Sequence, residues 1–509
     1  MLRAALWLLL ATALAMLPHA MLHDWSGTEG RRVQIALEMA RHGDWMLPTL
    51  FGEPAWQKPP LHYWLLAGSA RLFGDGYVAL RLPSLLLVWL TALLAFALHR
   101  RAFGAGAAWV AALGVVCAPI VVAEFASAEI DPPFACLCAA SLWCLAAGAA
   151  RADRRLLVAA GVVGGLALMS KGPPYFLFAA GAWLVWWRHR RCRGFWTYAL
   201  PLLLVPALYY VPLWLRVGWS EFWAVVNTET VGRMSTYQWR HVLDVPSFWL
   251  RALLVQLPLL CWCFWEWRST RDARMSPADL TLRMCSGAAV AAVALLTLFP
   301  GKPTRYLLPN VPLFAFAVAP AAAHYAQRCT AIGSVGSGVL RAVGVGGALL
   351  LVAVPFVPAP LPLRTPAFAL AAALVPALVR RPRELVALCF WLPVLAAWTT
   401  LADFRDRWEV GPRARAPHGA QLQHELQALA PDGAALHAIE GFGHVHGGLL
   451  LGAGLLPKGH EAATRLPTAP WILREDDREP PLPDLPDYRE RVRLCLPGEV
   501  FVVEERGGK

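Results

Sequence analysis

The chain has 509 residues, 57% of them hydrophobic and only 16% charged, against about a quarter charged in an average soluble protein. That composition excludes an ordinary soluble globular protein. The net charge of +12 would suit nucleic acid, but the basic residues lie in short loops between long apolar runs, which is how membrane topology signals look.

The first apolar run, 4–21, follows a lone Arg3. No small-x-small cleavage site precedes His23, so it reads as an uncleaved first span. At roughly 20 apolar residues per span, about thirteen spans can be placed. They fall at 4–21, 78–98, 106–124, 132–150, 155–170, 173–187, 196–217, 246–266, 284–299, 304–323, 339–357, 366–380 and 384–401. Basic segments at Arg3, 99–101, 151–155, 188–193, 268–274, 328–341 and 380–383 all fall on one side of the alternation. By the positive-inside rule that side is cytoplasmic, with the N-terminus inside and the C-terminus outside.

The loops of the other face are more informative. The first, 23–77, contains an amphipathic helix over 29–42. Val33, Ile35, Ala36, Met39 and Ala40 are its apolar set; Arg31, Arg32, Gln34, Glu38, Arg41 and His42 are polar. Gly43 and Asp44 end it, and such a helix would lie on the membrane surface. A second interfacial helix, 61–73, follows Lys58-Pro59-Pro60. Further along come Glu129 and Asp131 at the head of a span, Lys171 between two spans, Arg233 in the loop 218–245, and Lys302, Arg305 and Tyr306 together. Read plainly, Asp131 and Glu129 are helix caps and Lys171 is an interface anchor. Taken together, cations beside a tyrosine suit a phosphate group, and acids suit a proton acceptor or the positioning of a sugar hydroxyl. A phosphate at the mouth of a membrane cavity suggests a polyprenyl-phosphate lipid.

Most of the 11 cysteines sit in apolar runs as small hydrophobes, and no paired CxxC exists. The tail, 402–509, is more polar. It reads as a small α/β domain on the outer face, with a helix over 421–429, strands over 434–439, 471–474 and 500–504, and a loop over 480–486. His437, His444 and His446 have no acid or cysteine at useful spacing, so neither metal nor other cofactor is expected.

The run TEGRRVQIALEMARHGDWMLPTLFGEPAWQKPPLHYW (28–64) resembles the first outer loop of GT-C glycosyltransferases of the lipid A aminoarabinose-transferase and protein O-mannosyltransferase type. EIDPPF (129–134), LALMSKGPP (166–174) and KPTRYLLPNVPL (302–313) agree with it in order, so the likeness covers most of 1–400. The resemblance implies a helical polytopic GT-C membrane domain over 1–401 with its catalytic loop at 23–77, in a cell inner membrane with the tail periplasmic. It implies an inverting, metal-independent transfer of a sugar from a polyprenyl-phosphate donor to a lipid (lipid A-like), glycan or protein acceptor. The partners are then these substrates and membrane lipids, without nucleic acid. One departure matters: the family's Asp-Glu pair falls on Thr28-Glu29, with Asp24 four residues upstream. Glu29, Asp131 and Asp24 are therefore the expected catalytic acids. Arg31, Lys58, Lys171, Arg233, Lys302, Arg305 and Tyr306 are expected around the donor phosphate and lipid. Two other readings are a paralogue that binds polyprenyl lipid without catalysis and a lipid or solute transporter with charges at mid-membrane.

Overall fold

In this computed structural model the described residues are 1–227, with breaks at 23–24, 26–27, 51–52, 117–120, 122–123 and 191–192, then 277–297, 304–328 and strand segments between 436 and 506. The spans expected at 246–266, 339–357, 366–380 and 384–401, the loop 480–486 and nearly all of the helix expected at 421–429 lie outside the described residues.

The first helix, α1 (Leu2–Leu22), leads into α2 (Glu29–His42), a two-residue hairpin of β1 (Thr49–Leu50) and β2 (Glu53–Pro54), and α3 (Leu61–Phe73). Then come α4 (Tyr77–Val116), α5 (Asp131–Arg151), α6 (Arg154–Lys171), α7 (Tyr175–Arg190), α8 (Phe195–Val217) and the short α9 (Trp219–Asn227). After the undescribed 228–276 come α10 (Pro277–Leu296), a 3-10 turn at Thr304–Leu307, and α11 (Asn310–Arg328). The span expected at 78–98 and the first part of that expected at 106–124 lie within α4, which ends at Val116 and is interrupted at Gly104 with φ 88°, a conformation glycine adopts without steric cost. The span expected to begin at 304 begins instead at Asn310, because Thr304–Leu307 forms the tighter turn first.

Among the described residues four helices, α4, α5, α8 and α10, are long and apolar enough to cross a membrane. In its most apolar window α5 is 89% buried and α8 only 28%, so α5 is central and α8 lies at the rim. Without a hydrophobic force between helices in lipid, close approach depends on small residues. Gly161 and Gly165 of α6 provide it against α8. A methyl on Gly161 would overlap the Tyr198 carbonyl, and one on Gly165 would come 2.6 Å from Val205 Cβ. A buried polar chain joins the same helices: Ser141 Oγ donates to the Ala160 carbonyl at 2.7 Å, Tyr175 OH is 2.7 Å from that hydroxyl, and Tyr198 OH is 2.8 Å from Tyr175. A hydroxyl has one proton, so Ser141 spends it on the carbonyl and the tyrosines donate toward it in turn.

The helix α2 departs from expectation. Its limits match the sequence, and Gly43, at φ 81°, closes it with its N–H on Met39 O at 3.0 Å. It is not a surface helix with a wet polar stripe, however. Arg32, Gln34 and Glu38 are buried with Val33, Ile35 and Met39, and its apolar side packs with Tyr63, Leu66 and Ala67 of α3. Its charges are tolerated inside because they find partners: Arg32 Nη1 donates to Tyr63 OH at 2.7 Å, and Thr49 Oγ1 donates to Glu38 Oε2 at 2.8 Å.

In the tail, β3 (Leu436–Ile439), β4 (Gly459–Glu461), β5 (Trp471–Glu475), β6 (Tyr488–Leu496) and β7 (Glu499–Arg506) form a five-stranded sheet of order β4-β3-β5-β7-β6. The β3–β4 and β3–β5 pairs are parallel, and β5–β7 and β6–β7 are antiparallel. Three of these strands overlap the expected ones. The longest, β6, was masked in sequence by its charge, although Val492, Leu494 and Leu496 alternate at a strand's period.

The substitution Gly161→Val should destabilise the α6–α8 contact by about 1–3 kcal/mol, since overpacking forces the helices apart. It should lower the thermal unfolding midpoint in detergent, whereas a valine at Gly68, which has open space around it, should leave the midpoint nearly unchanged.

Candidate active site

The loop that leads into α5 is held from several sides. Glu29, the first residue of α2, takes a fork from Arg81 of α4: Arg81 Nε donates to Oε1 at 2.7 Å and Nη2 to Oε2 at 2.8 Å. Both side chains are essentially inaccessible, at 0% and 1% exposure. Buried charge is retained only when paired and fully hydrogen-bonded, and this pair goes further than pairing. Arg81 Nη1 also donates to the Ala20 carbonyl at 3.1 Å, and its guanidinium lies over Trp25 at 4.8 Å. Glu29 Oε1 also accepts the Ala128 N–H at 2.6 Å. The other end of that residue is held by His62 of α3, whose Nε2 lies 2.7 Å from the Ala128 carbonyl. A carbonyl only accepts, so Nε2 carries the hydrogen. Ser84 Oγ of α4 donates to the Ser127 carbonyl at 2.8 Å. One pair of charges thus ties α1, α2, α4 and the loop together.

What this clamp presents is Glu129 and Asp131. Asp131 opens α5, and Lys171 Nζ, from the last residue of α6, donates to its Oδ1. Arg305 Nε lies 3.9 Å from its Oδ2. The Lys171 ammonium also lies over the Tyr306 ring, 4.1 Å from its centroid, and 5.5 Å from that of Phe134. Gly172, at φ 87°, then turns the chain, and a methyl there would stand 3.8 Å from Pro59 Cγ. Pro59 therefore packs close to the turn that follows Lys171, and the half-buried Lys58 is its neighbour in sequence. Glu129 is held from α2's threshold: the Thr28 N–H and Oγ1–H both donate to its Oε1, at 3.0 and 2.6 Å. Burial holds its carboxyl above the usual glutamate value, although the Thr28 bond and the charge of Arg32 pull it down.

The Gly-Asp-Trp segment has a structural part. Asp44 accepts the N–H groups of Met46 and Leu47, each at 3.0 Å, and pairs with Arg216 of α8, Nη2 to Oδ2 at 2.7 Å. That bond to Arg216 holds the Asp44 carboxyl below the ordinary aspartate range. Tyr209 OH donates to the Met46 carbonyl at 2.9 Å, so the turn is anchored to α8.

The structure therefore brings together Asp131, Lys171, Arg305 and Tyr306. Arg31 sits half-buried on α2, three positions after Thr28. The sequence suggests Glu29 as a base, but the structure places its carboxylate in the interior with both oxygens on Arg81 and one on the Ala128 N–H. Asp24, Arg233, Lys302, His444 and His446 lie outside the described residues. Among the described residues no group of His, Cys, Asp and Glu converges to hold a metal ion. The sequence passed over Arg81, His62, and Glu129 as more than a cap. A signal for Arg81 was present: it is a lone cation inside an apolar span, which is rarely incidental.

The family model described as dolichyl-phosphate-mannose-protein mannosyltransferase matches residues 57–214. Two curated relatives are undecaprenyl phosphate-alpha-4-amino-4-deoxy-L-arabinose arabinosyl transferases. That of Pseudomonas fluorescens (number 2) is 28% identical over 56% of this chain and 50% of its own length. That of Edwardsiella ictaluri is 29% identical over 65% of this chain and 62% of its own. The chain thus matches about half to three-fifths of the length of these relatives. The crystal structure of ArnT from Cupriavidus metallidurans bound to undecaprenyl phosphate superposes with a TM-score of 0.69 over 98% of this chain and 97% of that one, at 18% identity. The chain has the GT-C fold of ArnT. The archaeal oligosaccharyltransferase AglB of Archaeoglobus fulgidus is more distant, at TM-score 0.50 and 13% identity over 90% of this chain and 64% of its own. In this fold Asp131, Lys171, Arg305 and Tyr306 all stand at helix ends or in the turn before α11, so the charged cluster lies at one end of the bundle and not at mid-span.

The clamp should be sensitive to pH through His62. Burial pushes this imidazole down to about 3 from 6.5, so the folded chain keeps it neutral. Between those values the unfolded chain takes up a proton that the folded chain refuses. Stability is therefore complete above 6.5 and declines as pH falls toward 3. Unfolding midpoints measured across this range should fall less steeply in His62→Gln than in the wild type.

Proposed function

We propose that this protein is an integral membrane glycosyltransferase. It moves a sugar from a polyprenyl-phosphate donor to a lipid, glycan or protein acceptor at the outer face of the inner membrane, with inversion at the anomeric carbon. In this reading the N-terminus is cytoplasmic and the C-terminal sheet periplasmic.

The observation that carries the proposal is the Asp131, Lys171, Arg305 and Tyr306 cluster at one end of the bundle. Asp131 holds Lys171 and faces Arg305, so two cations stand beside each other next to an aromatic ring. Two like charges at that spacing invite an anion with several oxygens, and a phosphate monoester or diester fits. Further support comes from the ArnT structure, which is bound to undecaprenyl phosphate, and from the two relatives named for undecaprenyl-phosphate-linked aminoarabinose. As the bond from the anomeric carbon to the phosphate oxygen breaks, charge builds on the leaving polyprenyl phosphate. Lys171, Arg305 and Lys58 would stabilise that charge. Asp131 would act by aiming Lys171 and Arg305. Glu29 would be an anchor of the loop and not a base, since its carboxylate is buried against Arg81.

The test is transfer of label from a radiolabelled undecaprenyl-phospho-sugar in membranes containing the full chain. Lys171→Ala and Arg305→Ala should each lower transfer by about 100-fold or more, the cost of losing one preorganised charge partner. If the wild type binds the donor yet moves no label, the protein is a lipid-binding paralogue and not a transferase.

A further inference from the structure

The proposed transferase needs an acid at the acceptor end, and the residue where the resembling family has its aspartate is Thr28. The three acids of the loop 124–131 differ in what holds them. Asp131 has a cation at each oxygen, Lys171 at Oδ1 and Arg305 near Oδ2. Glu124 is exposed and accepts no side-chain hydrogen bond from a described residue. Glu129 alone among the three is both fixed and open. Its Oε1 takes two bonds from Thr28, while its Oε2 accepts none from a described residue, and 9% of the residue's surface stays exposed. Its backbone is fixed too, because the preceding residue, Ala128, is held at its N–H by Glu29 and at its carbonyl by His62. A positioned general base needs this combination of one oxygen anchored, the other available, and a main chain that cannot drift.

We propose that Glu129 is the general base of the transfer, that Thr28 is its positioning residue, and that the acceptor nucleophile is a neutral hydroxyl. This rests on the transferase reading above. In the step, the acceptor oxygen attacks the anomeric carbon and forms the new glycosidic bond. The bond from that carbon to the phosphate oxygen breaks, and its electron pair leaves with the polyprenyl phosphate. The hydroxyl proton passes to Glu129 Oε2. A phosphate acceptor is already anionic and needs no base, whereas a hydroxyl needs one to take its proton. Thr28 then has a function as it stands: it donates to a carboxylate, which an aspartate at the same place would repel.

The charged groups near Glu129 are Arg32 from α2, Arg305 before α11, and Glu124 and Asp131 of its own loop. Arg32 and Arg305 favour the carboxylate, whereas the two acids and burial favour the protonated form. Activity should therefore fall on the acid side as Glu129 protonates. Removing the Thr28 bond should move that fall to higher pH.

The experiment uses the full chain in membranes with radiolabelled undecaprenyl-phospho-4-amino-4-deoxy-L-arabinose and records transfer against pH, with unfolding midpoints as the folding control. Glu129→Gln keeps an oxygen for Thr28 to donate to and should fold. It should lower transfer by about 100-fold or more and remove the acid limb. Thr28→Val should keep more activity and shift the limb upward. Thr28→Asp should reduce transfer at neutral pH, and Glu124→Gln should keep the transfer and move the limb to lower pH. The labelled product should survive mild acid, as an alkyl glycoside does and a glycosyl phosphate does not. An unchanged profile in Glu129→Gln, a gain of activity in Thr28→Asp, or an acid-labile product would each overturn the assignment while leaving the transferase reading intact. A wild type that transfers nothing would overturn both.

Discussion

The buried pair of Glu29 and Arg81 is the constraint on which the site's end of the helical bundle depends. Removing one partner from such a pair leaves a bare charge in a dry interior, at a cost of about 3–5 kcal/mol. The pair does more than neutralise itself. Arg81 reaches the Ala20 carbonyl at the end of α1, and Glu29 reaches the Ala128 N–H. Four chain segments that are far apart in sequence therefore share one bonding network. Ion pairing of this kind fixes a unique arrangement more than it adds net stability, which suits a site where small displacements matter.

The loop held by that network carries two acids with different parts. Asp131 is engaged by Lys171 and faces Arg305, and in the proposed reaction it would orient them toward the donor phosphate. Glu129 keeps one oxygen open. His62 and Ser84 add neutral contacts to the same backbone. Rigid elements thus supply the geometry, with Glu129 on the loop before α5 and Asp131 at the first position of that helix. The same economy appears at Asp44, where a Gly-Asp-Trp segment is pinned to α8 by Arg216 and Tyr209.

Much of this was legible in the sequence. The limits of α2 could be read because Glu29 suits a helix start and Gly43 a helix end. That Asp131, Lys171, Arg305 and Tyr306 belong together was an expectation from residue type, and the structure brings the four into contact. Partners were not legible. The polar positions of α2 looked wet because the sequence does not show that Tyr63 meets Arg32 or that Thr49 meets Glu38. Glu29 looked reactive because Arg81 lies 52 residues away and Ala128 lies 99 residues away. Thr28 looked like a lost acid because its partner, Glu129, is 101 residues distant. Periodicity reports which face of an element is apolar, but it is silent on which distant charge will pair with a polar residue there.

The most direct test of this account is sugar transfer by the double variant Glu29→Gln, Arg81→Met, compared with each single variant in membranes at equal folded amount. Glutamine keeps an oxygen for the Ala128 N–H, and methionine removes the charge that glutamine would leave unpaired. If Glu29 is an anchor, the double variant should regain most of the transfer that either single change loses. If the double variant stays as inactive as Glu29→Gln, the carboxylate itself takes part in the chemistry and the account is wrong.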